Sequence, residues 1–291
     1  MSPPSFESWL HFGEYHQIGP HRVFTIDQGV QNQEAIVILH GYPSASYDYY
    51  AVLPYWTNQY RVVVHDHLGF GLSDKPIAYS YSLIEQADIA LALWQKLGLK
   101  VVHLVAHDYG TSIATELIAR LNRGDEPLKF KSITLGNGSM LIEMAQLLWT
   151  QKMLKHDLWG PFLASFSRPA IFNRSFRRLW ADQSKLKSEE LGVLWQMLIY
   201  NEGRKVLPKV TKYLDERKKF WHRWIGALEK TERSIHLVWA DQDPVAVIEM
   251  AHVLAQKIPS NHLSVLPNVG HYPMLESPAI YAKAVLRGIK N

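Results

Sequence analysis

Asp108 occupies the part of the sequence that is best suited to chemistry. It is the third residue of the segment 106–112 (AHDYGTS), which follows a β-branched run and precedes a helical pattern. A sharp strand-to-helix turn with small neighbours presents its central side chain to a reacting molecule. A carboxylate is ionised near neutral pH, so it can displace a leaving group from a saturated carbon and form an alkyl ester. We therefore predict that Asp108 is a nucleophile, with a simple helix cap as the alternative.

Two further polar residues follow later strands, in the chain order nucleophile, acid, histidine. Asp243 precedes a Pro-Val pair in the loop after one strand, and Asp241 in the same loop is the alternative acid. His271 lies in a Gly-His loop after the last strand. We predict that Asp243 orients the imidazole and stabilises its charged form, and that His271 activates water against the ester of Asp108.

Hydrolysis of such an ester needs hydrogen-bond donors for the negative charge that develops on the carbonyl oxygen. The predicted donors are two backbone N–H groups. One belongs to Tyr109, directly after the nucleophile, and the other to Tyr42, in the segment 40–43 (HGYP) after an early strand. A plain tight turn is the alternative interpretation of this segment.

The elements that must position these residues alternate between short apolar runs and helical patterns. Continuous apolar runs predict strands that are buried on both faces of a parallel sheet. The predicted strands are 35–39, 61–64, 101–105, 132–135, 234–239 and 262–266, and the predicted helices include 83–97, 112–121 and about 277–289. From about 139 to 230 the pattern is helical only, so we predict a core domain of 1–138 and 231–291 and a helical cap domain of 139–230. Ligands of such sheets bind beyond the carboxyl ends of the strands.

Composition limits the remaining possibilities. The 291 residues are 47% hydrophobic and 20% charged, which is typical of a globular protein. The net charge is +4, and the basic run 217–219 is interpreted as a solvated helix face, so neither nucleic acid nor a membrane is expected as a partner. No cysteine, signal-peptide pattern or apolar stretch of membrane-spanning length is visible, which favours a cytoplasmic protein. No metal or organic cofactor is implied, and a homo-oligomer is possible.

These motifs together resemble a known family. The matching segments are 40–43 (HGYP), 67–76 (HLGFGLSDKP), 107–110 (HDYG), 243–245 (DPV) and 270–273 (GHYP). They are similar to the epoxide hydrolase and haloalkane dehalogenase branch of the α/β-hydrolases. Within it the chain most resembles the mesoderm-specific transcript protein family, through 46–49 (SYDY), 107–110, 217–220 (RKKF) and 223–228 (RWIGAL). The resemblance implies an α/β-hydrolase fold with a mostly parallel central sheet flanked by helices, a helical cap after the sixth strand, and the triad.

The two activities of that branch differ in how the leaving group is treated. A halide is typically held by the indole of a Trp directly after the nucleophile, where this chain has Tyr109. Many dehalogenases also place Asn or another polar residue where this chain has Tyr42. The cap residues Trp149, Trp159 and Trp195 are alternative sources of an indole N–H. Hydrolytic dehalogenation is therefore the second hypothesis, and a non-catalytic binding protein is the third.

An epoxide instead needs a proton donor, which in this branch is supplied by cap tyrosines. Tyr213 is the first candidate and Tyr200 the second, and for both a purely packing role is the alternative. The segment 139–199 contains no Tyr, so the usual first donor has no match, and His156 is a candidate substitute. We predict epoxide hydrolysis to a vicinal diol, with a small hydrophobic substrate and water as the partners.

Overall fold

The continuous apolar runs form the centre of an eight-stranded sheet in the computed structural model, which describes residues 2–290. The strands are β1 (Glu14–Ile18), β2 (His21–Gln28), β3 (Ala35–Leu39), β4 (Arg61–His65), β5 (Val101–His107), β6 (Lys129–Gly136), β7 (Ile235–Ala240) and β8 (Asn261–Leu266). Their order is β1-β2-β4-β3-β5-β6-β7-β8. Only the β1–β2 and β2–β4 pairs are antiparallel, which confirms the predicted mostly parallel sheet.

The antiparallel strands β1 and β2 are additions that the apolar runs do not predict. Along β1 no residue is buried, and β2 is buried only in its central part. An edge strand of this kind lacks a continuous apolar run because it faces water along much of its length. In contrast, all five residues of β3 are buried, as expected for a strand between two parallel neighbours.

Helices cover both faces of the sheet. The core helices are α1 (Phe6–Phe12), α2 (Leu53–Trp56), α3 (Leu83–Lys96), α4 (Tyr109–Leu121), α12 (Ile248–Lys257), α13 (Pro273–Glu276) and α14 (Pro278–Lys290). Apolar residues of α3, α4 and α12 pack in one buried cluster, and those of α1, α2 and α14 pack in another on the opposite face. No helix within residues 2–290 is long and apolar enough to cross a membrane.

Seven helices lie between β6 and β7. They are α5 (Trp149–Leu154), α6 (Trp159–Ser165), α7 (Pro169–Arg177), α8 (Ser188–Ile199), α9 (Gly203–Val210), α10 (Tyr213–Lys219) and α11 (Trp221–Lys230). The last of them is tied to core helix α4 through the buried Glu116 carboxylate. This carboxylate accepts from Arg223 Nε at 2.6 Å and from Trp224 Nε1 at 2.9 Å. Helix α11 therefore joins the inserted segment to the core.

Candidate active site

Asp108 lies on a sharp turn between β5 and α4. Its backbone has φ 45° and ψ −109°, a positive-φ conformation that costs free energy in a residue with a side chain. The Asp108 amide donates to the Gly136 carbonyl at 3.2 Å, and the Gly110 amide donates to the His40 carbonyl at 3.1 Å. A Cβ at Gly110 would lie 2.2 Å from the Leu39 carbonyl oxygen, so only glycine fits there. The strained turn presents the Asp108 side chain at the carboxyl end of the sheet.

The Asp108 carboxylate is buried and accepts a hydrogen bond from one of the two predicted backbone donors. Its Oδ2 accepts from the Tyr42 amide at 3.0 Å. Tyr272 Oη donates to the Tyr42 carbonyl at 3.2 Å and so holds the same loop. Tyr109, the second predicted donor, is the buried first residue of α4. Within residues 2–290 the Asp108 carboxylate makes no capping hydrogen bond to α4, contrary to the helix-cap alternative.

Asp243 and His271 meet above β7 and β8. His271 Nδ1 lies 2.7 Å from Asp243 Oδ2. The same Oδ2 accepts from Asn137 Nδ2 at 2.7 Å, while Oδ1 accepts from the amides of Val245 at 2.7 Å and Ala246 at 3.0 Å. A buried carboxylate with this many hydrogen-bond donors is held in one orientation. The arrangement suits a carboxylate that orients an imidazole.

The surrounding loops separate Asp243 from its alternative, Asp241. Asn137 follows β6 with φ 44°, and its Oδ1 accepts from the Ala240 amide at 3.0 Å, so the side chain is locked between two strand ends. Asp241 is only partly buried, and its Oδ1 accepts from the Val269 amide at 3.4 Å. Asp241 therefore ties its own loop to the loop that carries His271, whereas Asp243 contacts the His271 imidazole itself.

The protonation of His271 depends on its two carboxylate neighbours. Burial lowers the pKa of His271, but the charge and the hydrogen bond of Asp243 act against burial, and the charge of Asp108 adds to them. The net result is a pKa of His271 above its ordinary value. The two carboxylates therefore favour the charged form of His271, and removal of either negative charge lowers the pKa of His271 again.

His107 directly precedes Asp108 and holds the loop that carries His271. Burial lowers the pKa of His107 to about 4, so its ring is neutral in the physiological range. Its Nε2 lies 2.7 Å from the His271 carbonyl oxygen, which can only accept, and Nε2 is therefore the protonated nitrogen. The sequence indicates this contact only by placing a polar residue, His107, directly before Asp108.

Arg217 is the residue whose place differs most from the sequence-based interpretation. The prediction of a solvated face for 217–219 is wrong for Arg217, which is 2% exposed, although Lys218 and Lys219 are exposed. Arg217 Nε donates to Ser112 Oγ at 2.6 Å, and Nη2 donates to the Asp108 carbonyl at 2.9 Å. Nη2 also lies 3.9 Å from Asp108 Oδ1. The cap helix α10 thus places a guanidinium against the turn that carries Asp108.

Tyr213 lies one helical turn before Arg217 and faces the same site. Its ring centroid is 5.5 Å from that of Tyr42 and 5.1 Å from that of Tyr109, and the Arg217 guanidinium lies 4.6 Å from its ring centre. The hydroxyl is buried and has no hydrogen-bond partner within residues 2–290. Burial, and then the charge of Asp108, raise the pKa of Tyr213 well above its ordinary value, so the phenol keeps its proton.

The other two donor candidates lie elsewhere, which corrects the sequence-based assignment. Tyr200 packs against Phe6 of α1, with a ring-centroid distance of 5.7 Å, and the Lys75 ammonium lies 5.4 Å from its ring centre. His156 is exposed, and its Nδ1 accepts from the Leu158 amide at 3.3 Å. Tyr200 and His156 therefore make their contacts on other surfaces, whereas Tyr213 packs on Tyr42 and Tyr109 beside Asp108.

A cavity of about 220 Å³ separates the core from the cap and reaches His271 and Tyr42. Its walls are mainly apolar and come from α5 to α9. They include Met153, Leu163, Phe172, Phe176, Leu179, Leu198 and Leu207. Of the three tryptophans considered for a halide, Trp195 lines the cavity, Trp149 lines it at an exposed position, and Trp159 is not part of its lining. Such a space fits an apolar molecule next to the histidine.

Comparison with known proteins identifies the family to which the chain belongs. The family model described as alpha/beta hydrolase fold matches residues 34–278. The putative hydrolase LipZ of Mycobacterium tuberculosis is 37% identical over 286 residues, covering 98% of each chain. The human mesoderm-specific transcript homolog protein is 34% identical over 298 aligned positions, covering 99% of this chain and 89% of that protein.

Among solved structures, the haloalkane dehalogenase DbeA from Bradyrhizobium elkani is similar in fold. Its TM-score is 0.82 at 20% identity, with 96% of this chain and 97% of that chain covered. At this identity the likeness concerns the fold and not the activity. The predicted resemblance to the mesoderm-specific transcript proteins and the predicted fold are confirmed. Sequence, sheet order and relatives agree, and the chain belongs to the α/β-hydrolase family.

Proposed function

We propose that this chain is a hydrolase that opens epoxides to vicinal diols through an alkyl ester at Asp108. The observation that supports an epoxide over other substrates is the Tyr213 hydroxyl. It is buried, protonated and without a partner within residues 2–290, and its ring packs on the two residues that flank the carboxylate. An unpaired buried hydroxyl costs free energy unless a ligand completes it. A ring oxygen of an epoxide is an acceptor of the required kind.

The first step uses the carboxylate oxygen that the backbone leaves free. Tyr42 N–H holds Oδ2, so Oδ1 attacks the less hindered epoxide carbon and forms the C–O bond of an ester. The ring C–O bond breaks, and its electron pair stays on the leaving oxygen as an alkoxide. Tyr213 transfers its proton to that oxygen, which gives the hydroxyl group of a hydroxyalkyl ester.

The second step uses His271 and water. Esterification removes the negative charge of Asp108, one of the causes that raise the pKa of His271. The first step therefore favours the neutral imidazole that the second step requires. His271 takes a proton from water, the hydroxide adds to the ester carbon, and the amides of Tyr42 and Tyr109 stabilise the oxyanion that forms on Oδ2. Collapse of this intermediate breaks the bond between the ester carbon and Oδ1, and the imidazolium of His271 protonates the departing alkoxide to give the diol. The carboxylic acid left at Asp108 returns its proton to the Tyr213 phenolate, which restores the carboxylate and the phenol.

The cavity lining supports a neutral, apolar substrate. Among the residues of the described chain that line it, none is Lys, Arg, Asp or Glu. A charged substrate group would lose its hydration there without gaining a partner, which is strongly unfavourable. The partners are therefore a small hydrophobic epoxide and water.

Haloalkane hydrolysis is the second candidate because Trp195 lines the cavity and carries an indole N–H. A halide leaves without a proton, so this reaction would leave the Tyr213 hydroxyl without a function. The residue after the nucleophile, Tyr109, does not offer an indole. A non-catalytic binding role would leave the bonded Asp243–His271 pair unexplained.

The two candidates are separated by products. The purified chain should be incubated with alkyl and aryl epoxides and, in parallel, with chloro-, bromo- and iodoalkanes of matched length. We expect diol, measured by mass spectrometry, and no released halide above the Asp108→Ala control. Halide release without diol would replace epoxide hydrolysis by dehalogenation, and absence of both with this panel would leave the binding role.

A further inference from the structure

The helices next to the cavity opening expose an unusual number of large apolar side chains. We call this surface the outer cap face, and it consists of Trp149, Leu158, Trp159, Phe162, Phe166 and Ile171. Each is between 54% and 79% exposed. The other exposed large apolar side chains of the described residues are scattered from Phe12 to Ile280. A concentration of this kind within 149–171 marks an interaction surface.

Three aromatic rings of the outer cap face form a cluster, and three of its six residues line the cavity. The ring centroids of Phe162 and Phe166 lie 4.7 Å apart, and those of Trp159 and Phe162 lie 6.4 Å apart. Trp149, Phe166 and Ile171 also line the cavity that leads to His271. An apolar molecule that enters the cavity on this side therefore passes over the face.

The chain segment that carries this surface is basic, and two of its arginines lie beside the surface. The segment 148–181 contains six Lys and Arg and one acidic residue, Asp157, a net charge of +5, whereas the whole chain carries +4. Asp157 is itself paired with Lys212. A groove beside the cavity is lined by Arg174 and Arg178 and shares Trp149 and Ile171 with it. Apolar and cationic groups thus occur on one side of the cap.

We infer that the outer cap face docks on the surface of a lipid bilayer that carries anionic lipids. Tryptophan and phenylalanine favour the boundary between head groups and acyl chains, and Lys and Arg are attracted by the negative surface. A second copy of the chain is a poorer occupant, because a two-fold interface through this face would bring two segments of charge +5 together. Docking opens the cavity toward the acyl region, from which an apolar substrate enters without crossing water.

This inference concerns a surface remote from the triad and goes beyond the proposed function. The expectation that no membrane is a partner was based on the run 217–219 and on the lack of a span. Neither observation concerns the outer cap face, which needs no span to bind a surface.

The experiment is flotation of the full chain with vesicles of phosphatidylcholine, with and without phosphatidylglycerol. We expect binding to the anionic vesicles that weakens as salt is raised. Trp159→Ala combined with Phe162→Ala should reduce binding about tenfold or more, because two aromatic rings no longer leave water. Arg174→Gln combined with Arg178→Gln should weaken binding and flatten its salt dependence. The control Trp221→Ala, a tryptophan that is 48% exposed on α11, should bind like the wild type.

Three results would overturn the inference: no flotation with anionic vesicles, equal loss in Trp221→Ala, or unchanged binding of the aromatic double variant. Self-association that the aromatic variant abolishes, with no vesicle binding, would assign the face to a second copy instead. Circular dichroism checks that each variant is folded. Asp108→Asn should bind vesicles like the wild type, so the docking test does not depend on the proposed chemistry.

Discussion

The loops at the strand ends and the first cap helices differ in which side chains they bury and which they expose. At the strand ends, charged groups are buried and bonded, as in the four contacts of Asp243. In 149–171, large apolar groups are left in water, with Trp149 67% exposed. A buried, bonded carboxylate has one orientation, which chemistry requires, whereas an exposed apolar surface gains free energy only when something covers it. The first region fixes the orientation of its polar side chains, and the second leaves its apolar side chains accessible to a partner.

Helix α10 is the part of the cap that departs from this contrast. Its Tyr213 and Arg217 are four residues apart and are both buried against the turn that carries Asp108. The cap therefore contains an inner part that packs on the turn of Asp108 and an outer part whose apolar side chains are exposed, some of them at the cavity. The following variants test that division.

The largest effect is expected from Asp243→Asn, with Asp241→Asn as the matched control. Loss of the charge leaves the imidazole of His271 without its orienting acceptor, and the rate of ester hydrolysis should fall about 10³-fold. Burial still lowers the pKa of His271, but the Asp243 contributions that raise it are lost. A base works when unprotonated, so hydrolysis rises with pH through this pKa, and the rise should move to lower pH in Asp243→Asn.

The measurement is single-turnover decay of the ester across a pH series. Asp241→Asn should leave both the rate and the pH dependence close to those of the wild type, because the Asp241 carboxylate accepts from the Val269 backbone amide and an asparagine oxygen can accept the same bond. Equal losses in the two variants would show that the carboxylates do not differ in function.

Arg217→Met tests whether inner cap and core form one unit. The variant removes two charged hydrogen bonds, to Ser112 and to the Asp108 carbonyl, and should lower the free energy of unfolding by about 3 kcal/mol. Lys218→Met, the same change at the exposed neighbour, should change it by less than about 0.5 kcal/mol. Urea unfolding of both variants measures the difference, and similar values would place Arg217 outside the site.

Tyr213→Phe tests the proton donor, with Tyr200→Phe as its control. Removing the hydroxyl should slow ester formation from an epoxide about 10²-fold, because the alkoxide then lacks a general acid. Tyr200 packs on α1, and its variant should form the ester at the wild-type rate. Rapid-quench mass spectrometry of the ester measures both rates. An unaltered rate in Tyr213→Phe would remove Tyr213 from the mechanism.

The buried parallel strands and the helical character of 139–230 were predictable from sequence, whereas the edge strand β1, strand β2 and the orientation of the cap side chains were not. A buried strand can be predicted from its own apolar run, and the run 35–39 indeed forms β3. The residues after such strands lie at the carboxyl edge of the sheet, which is why Asp108 and His271 could be predicted to lie there. The surface that each side chain of a short cap helix contacts depends on the elements that pack around the helix. The sequence of the helix alone does not show which elements these are. For this reason the sequence did not predict the burial of Arg217 or the positions of Tyr200 and His156 away from Asp108. The i, i+4 spacing of Tyr213 and Arg217 did indicate that these two side chains lie on the same side of α10.

The most direct test of the central proposal is the intact mass of His271→Gln after incubation with an epoxide. This variant keeps the carboxylate of Asp108 and lacks the base, so the ester should form and persist. We expect a mass increase equal to one substrate molecule, located by peptide mapping on the peptide that contains Asp108. The double variant His271→Gln with Asp108→Asn should show no increase at early times. No adduct on that peptide, together with full diol formation by Asp108→Ala, would contradict a nucleophilic Asp108.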